Sequence, residues 1–235
     1  LKGAFFEDLS GGFFYIEDVN RSLELSDNWS GHAGIDWTPA DDLLIYGRVT
    51  RGFKSGGFFG GFAFSEEELE PYKEETVTSF EVGIKSSFLN KTLQINSALF
   101  FYDYADVQGF TQTFSPVTQT ALTKLGNLGN AEHTGAELDL IWLPGSIEGL
   151  SLQLATSWLK ADIVNSDTVG VDQAGEMFPI EGLARTFSPE FSSSVQARYE
   201  WTINHLQAAL QFNYSWRDNL VDARSSFSDI ELAAF

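Results

Sequence analysis

Arg48, Arg51 and Lys54 bring three cations to the end of one apolar segment, and Phe58, Phe59, Phe62 and Phe64 follow in a stretch rich in glycine. Guanidinium and ammonium groups beside phenyl rings can hold an anionic small molecule and cover it. That chemistry makes Arg51, Lys54, Phe58, Phe59 and Phe62 the candidate ligand-binding residues. The same side chains have a structural use, in which the cations meet lipid phosphates or nearby carboxylates. Gly56, Gly57, Gly60 and Gly61 lack the strand-to-helix frame, and the following Lys and Ser or Thr, of a phosphate-binding loop.

His32, His133 and His205 show no metal-ligand spacing, the chain has no cysteine, and neither GxSxG nor HExxH occurs. No catalytic residue, metal site or cofactor is therefore assigned. A second polar set, Glu81, Lys85, Glu137, Asp139, Arg198 and Glu200, falls at alternate positions of otherwise apolar segments and is expected to line a water-filled lumen. The formal net charge of -19 argues against nucleic acid as a partner, because phosphate binding needs clustered Lys and Arg. The acids gather in two irregular segments, Glu66 to Glu75 and Asp162 to Glu190. They are either solvated loops or acidic loops bridged by divalent cations to a lipopolysaccharide surface.

Strands must position these groups. Between Thr76 and Tyr104, Phe80, Val82, Ile84 and Phe88 alternate with Glu81, Gly83, Lys85 and Ser87. Leu89, Asn90 and Lys91 supply a turn, and Leu93, Ile95, Ser97, Leu99 and Phe101 then alternate with Gln94, Asn96, Ala98, Phe100 and Tyr102. The same plan recurs at Trp29–Thr38, Leu43–Phe53, Gly135–Trp142, Leu150–Leu159, Phe191–Trp201 and Gln207–Trp216, about eight strands in all. The facing of Leu43–Phe53 is ambiguous, since LLIYGRV is apolar on both parities. Residues 1–28 read as a loop or the tail of an earlier strand, SEEELE before Pro71 as a helical turn, and 105–131 and 160–190 as long loops. Short and long connections alternate, so all the short ones lie at one end of an up-and-down sheet.

Alternation alone does not say whether the apolar face meets a core or lipid. Three features favour lipid. The six tryptophans sit at strand ends, Trp37, Trp142 and Trp201 beside short turns and Trp29, Trp158 and Trp216 opposite, as in two interfacial girdles. Leu93 to Phe101 spans ~30 Å, or roughly 21 Å after a ~45° tilt, close to the apolar band of a membrane barrel. The connections match short periplasmic turns and long external loops. No apolar run approaches the ~18 residues of a membrane helix. The fold class is thus all-β, an antiparallel up-and-down transmembrane β-barrel. Its first turn is short, which places both chain ends outside the cell, and LKGAFFEDLSGG has no signal-peptide pattern. Residues 1–235 are therefore expected to form one partial β-barrel domain of a larger barrel.

Three segments, in order, carry a family resemblance: YGRVTRGFKSGGF at 46–58, TSFEVGIKSSFLNKTLQINSALFFYDYADVQ at 78–108, and LGNLGNAEHTGAELDL at 125–140. Together they resemble the barrel of TonB-dependent outer-membrane receptors. The resemblance implies a barrel of about 22 strands, of which this chain supplies roughly a third. The plug, the TonB-contacting box and the closing strand have no counterpart in the chain. It further implies residence in the bacterial outer membrane and active uptake of a scarce ligand such as a ferric siderophore, cobalamin, a saccharide or another metal chelate. Expected partners are outer-membrane lipid and lipopolysaccharide, the small-molecule ligand, and the TonB complex through the plug. A passive or structural small barrel and a secreted β-sandwich adhesin or lectin are the alternatives.

Overall fold

The protein is seen in a computed structural model that describes residues 4–7, 13–16, 22–24, 28–59, 69–114, 121–171, 177–185 and 188–219. A short hairpin comes first, β1 (Ala4–Glu7) against β2 (Phe13–Ile16). There follow β3 (Gly31–Ala40), β4 (Leu43–Lys54), β5 (Glu75–Phe88), β6 (Leu93–Ala105), β7 (Gln108–Phe114) and β8 (Ala121–Asn127). Then come β9 (Asn130–Trp142), β10 (Leu150–Val164), β11 (Val169–Val171), β12 (Met177–Pro179), β13 (Phe191–Ile203) and β14 (Leu206–Arg217).

Eight long strands form one antiparallel sheet in the order β14-β13-β10-β9-β6-β5-β4-β3. Each lies beside its neighbours along the chain, which is an up-and-down meander. Among the described residues β3 and β14 are unpaired edges, so these eight strands do not close on themselves. The four short connections lie at one end. In one of them Leu89, Asn90 and Lys91 all take positive φ, and Thr92 donates both its backbone N–H and its hydroxyl to the Leu89 carbonyl. That local closure offsets the steric cost of three successive left-handed residues.

The irregular stretches hold more strand than their sequences suggest. The 105–131 segment contains the β7–β8 hairpin, β10 runs on to Val164, and β11 pairs with β12 inside the 160–190 segment. Within residues 1–28, read as a loop or the tail of an earlier strand, Ala4–Glu7 and Phe13–Ile16 pair as β1 and β2. The paired pieces are only three to seven residues long, too short to sustain a period of two. The helical turn expected at SEEELE falls on residues 65–70, of which 65–68 lie outside the described residues.

Every long strand keeps its apolar parity on a single face of the sheet. The ambiguity in β4 resolves through register: Ile45 and Val49 pair with Ile84 and Phe80 on the apolar face, while Tyr46 and Arg48 pair with Gly83 and Glu81 on the other. The apolar face is not covered. Val82, Leu99 and Leu210 are 57%, 58% and 68% exposed, whereas a sandwich would bury them against a second sheet. Tyr46, Leu69, Val107, Ala131 and Ala161 are the buried hydrophobic residues among those described, and no two of them are neighbours along the chain.

Candidate functional site

The registers show how the sheet meets its surroundings. Trp37 shares one row with Ile45, Ile84, Ser97, Leu138, Thr156, Ser193 and Trp216. Trp37 lies beside a short turn and Trp216 at the far end of its strand, so one row crosses the apolar belt from bottom to top. Trp158 stands two residues above that row on β10. Trp29 stands two residues above the row of Gly31, Arg51, Thr78, Asp103, Glu132 and Asp162, level with Val164. From Trp216 to Trp29 the upper line therefore climbs from the level of Thr156 to that of Val164 over seven inter-strand steps. At ~3.3 Å per residue and ~4.8 Å per step this is about 26 Å in about 34 Å, a strand tilt of about 38°. The lower line, Trp201 through Trp142 to Trp37, climbs in parallel, from two residues below Leu150 to Thr156. Transmembrane barrels tilt their strands by ≈ 35–45°. In β3 the two lines are separated by the run from Trp29 to Trp37, about 26 Å along the strand and roughly 20 Å along the membrane normal.

The opposite face is polar, and it gathers Glu81, Lys85, Glu137, Asp139 and Arg198. Arg48 pairs with Glu81; Lys85, Asn96 and Asp139 share a row with Ser194 and Ser215; Glu137 shares the next with Ser157 and Ser192. Arg198 donates to Glu200 at 2.7 Å and to Gln211 at 3.0 Å. Tyr46 sits at the centre of the β4–β6 part. Arg48 lies 4.9 Å and Lys85 5.7 Å from its ring centroid, and the ring lies over Gly83, where a Cβ would collide with it. Phe100 covers Gly135 in the same way on the next pair. Glu137, Asp139, Ser157, Ser192, Ser194 and Ser215 border a shallow trough of about 700 Å³ on this face.

A sheet with an uncovered apolar belt, tryptophans along both borders and a polar reverse face is a piece of membrane barrel wall. The family model for the TonB dependent receptor-like β-barrel matches residues 6–233. The chain belongs to that family. Its place is the bacterial outer membrane. Among solved structures it is similar to the ferric yersiniabactin uptake receptor FyuA from Yersinia pestis, with a TM-score of 0.64 and 17% identity over 88% of this chain and 28% of that one. It is also similar to the siderophore receptor PiuA from Acinetobacter baumannii, with 0.63 and 16% over 88% and 28%. For the FrpB iron transporter from Neisseria meningitidis the values are 0.56 and 13% over 91% and 29%. The chain thus spans less than a third of the length of these receptors.

The ligand candidates of this receptor barrel do not share a face. Arg51 points to the tryptophan side, where its guanidinium lies 5.4 Å over the Trp29 ring and donates to the Thr78 hydroxyl at 3.2 Å. Lys54 is on the polar parity and reaches Glu75 at 3.5 Å. Phe58 is half-buried, Phe59 meets Phe110 edge to face at 6.1 Å, and Phe62 lies outside the described residues. Gly56 and Gly57 have a packing reason, the close approach of Tyr72, which forms an isolated bridge with Gly57.

Two groupings escaped the sequence. Phe100 stacks on Tyr102 at 4.9 Å, Tyr104 meets the His133 ring at 4.8 Å, and Arg185 lies 5.6 Å from the Tyr104 ring. His133 Nε2 is buried and has no hydrogen-bond partner among the described residues. Gln108 and Asn127 bind the main chain of other loops. The alternation of FFYDY did signal Tyr102 and Tyr104, but nothing local links them to Arg185. Among the described residues no group of three His, Asp or Glu could hold a metal ion.

Proposed function

We propose that the chain is the wall of an outer-membrane receptor that takes up a scarce nutrient, a ferric siderophore being the best-supported class. The observation that carries this is the two-faced, tilted sheet with tryptophan borders, joined to the family match. FyuA, PiuA and FrpB are described as receptors or transporters for ferric yersiniabactin, a siderophore and iron, which supports an iron chelate as cargo. In this reading the chain forms a partial barrel domain, with the plug, further strands and the TonB contact supplied outside it. The polar face, with Glu81, Lys85, Glu137, Asp139 and Arg198, lines the lumen. Lys54, Phe58, Phe59 and Phe62 belong to an external loop that contacts ligand, while Arg51 on Trp29 faces lipid headgroups and lipopolysaccharide. The net charge of -19 disfavours a strongly anionic chelate.

The experiment is uptake. A strain whose sole candidate receptor is the full-length protein containing this chain is supplied with ⁵⁵Fe bound to siderophores of differing net charge, with and without functional TonB. Energy-dependent accumulation of at least one neutral or weakly charged ferric complex is expected. Accumulation of none of them, or accumulation unchanged by loss of TonB, overturns the reading.

A further inference from the structure

Three outer connections leave the sheet side by side: 55–74 between β4 and β5, 106–129 between β6 and β9, and 165–190 between β10 and β13. Each stem closes on itself through main-chain bonds. Gly57 and Tyr72 exchange a pair at 3.0 and 2.9 Å, the Val107 N–H donates to Gly129 and its carbonyl accepts from Leu128, both at 2.7 Å, and the Gly182 N–H donates to Ile163 at 2.8 Å. Side chains of the middle one join it to the first, and side chains of the third join that one to the middle. Asn127 faces a single residue of the first connection, accepting from the Lys73 N–H at 2.7 Å and donating to the Lys73 carbonyl at 3.1 Å, and it also donates to Asp106 O at 2.7 Å. It replaces a missing strand pair with an amide side chain. Gln108 donates to Ser55 O at 2.9 Å and Lys73 O at 3.0 Å, so it holds both legs of the first connection, and its own N–H donates to Glu75 at 2.6 Å. On the other side Ser166 donates to Leu128 O, and Thr168 donates to Asn127 O at 3.4 Å. Gly129, at φ 103°, admits this approach, since a Cβ there would press on Asn165 and Ser166. Val107 is 1% exposed at the centre.

We propose that Gln108 and Asn127, together with Ser166 and Thr168 of the third connection, lock the stems of the three outer connections into one rigid rim, so that these stems open and close as a single body. Buried or half-buried side chains bonded to the main chain of a neighbouring segment open together with it, and here such bonds link three segments distant in sequence. The rim fixes the spacing at which three loops present their residues to any ligand. It does not depend on which ligand that is, and its test uses none.

The test is amide hydrogen exchange, read by mass spectrometry on the full-length receptor in lipid vesicles. In Asn127→Ala, exchange at Gly57 and Tyr72 in the first connection and at Thr168 in the third rises together by at least tenfold, while the amides of the β5–β6 centre keep their rates. Gln108→Ala gives the same joint release. Asn130→Ala removes only the bond to the Asp106 N–H within the middle connection, and it leaves the first and third at wild-type rates. Should Asn127→Ala fail to assemble, Asn127→Asp keeps the acceptor for Lys73, removes both donated bonds, and shows the same pattern more weakly. Release confined to residues 106–130, or an equal joint release in Asn130→Ala, overturns the proposal.

Discussion

Val82→Arg tests which solvent the apolar face meets. Val82 pairs with Leu99, and its row continues through Ala136 to Trp158. Interpolated between Trp158 and Trp29, the upper tryptophan line crosses β5 about four residues above Val82, and the lower line crosses about the same distance below it, on the ~38° tilt worked out above. Val82 is therefore near the membrane midplane, and it is 57% exposed. An arginine at the midplane of a barrel's lipid face costs roughly 2–4 kcal/mol, and near the borders about 0–1. At about 1.4 kcal/mol per decade, Val82→Arg lowers the folding equilibrium roughly 30- to 700-fold. The control is Asn96→Arg, at similar depth on the polar face, where the cost stays near the ±0.5 kcal/mol of a solvated site. Urea titration of the receptor in vesicles, with the fraction of heat-modifiable barrel as readout, measures both. In a water-soluble sheet an exposed Val82 would accept arginine with little change. Equal tolerance of the two substitutions, or a larger loss at Asn96, refutes the assignment of faces.

The remaining expectations follow from the same registers. Gly83→Ala drives a Cβ into the Tyr46 ring and costs about 1–3 kcal/mol; part of the loss returns when Tyr46→Ala is added, and a double-mutant cycle in urea reads the coupling. With the receptor's other tryptophans changed to phenylalanine, those of this chain are quenched more strongly by lipids brominated near the headgroup than near the chain ends, and the reverse order would remove both girdles. Arg51→Ala, which strips a cation from the lipid side, leaves ligand affinity within about twofold, because headgroup contacts of this kind are worth about 1 kcal/mol or less to the protein and nothing to the lumen. A tenfold loss in equilibrium binding would place Arg51 in the ligand site.

The strands were legible where lipid and water impose period two over several successive residues, as in Leu93–Leu99 and Leu150–Trp158. Where both faces of a strand carry bulk, as Tyr46 does opposite Ile45, period alone is mute, and the partner glycine that makes room for the ring lies 37 positions away. The cationic cluster shows the same limit. Arg51 and Lys54 look adjacent in sequence, but three residues along a strand is an odd step, so they leave by opposite faces. The rim was illegible for another reason. Gln108 and Asn127 bond to peptide groups, which every residue possesses, so no complementary residue type marks their partners in the sequence.

The stagger of the tryptophans carries more information than their presence at strand ends. A sandwich can also place indoles at the ends of its strands, but the registers would then align them on rows that reflect core layers. Here Trp37 and Trp216 occupy the same hydrogen-bonded row while belonging to opposite borders. Two borders can both be level only if the rows themselves are inclined, and the incline that levels the upper set also levels the lower one. A flat bilayer crossed by tilted strands imposes this relation on every strand at once, because each must place its aromatic residue at the same depth although its register is offset from its neighbour's. A soluble core imposes no common depth, so the slope shared by the two lines assigns the apolar face to lipid independently of any hydropathy argument.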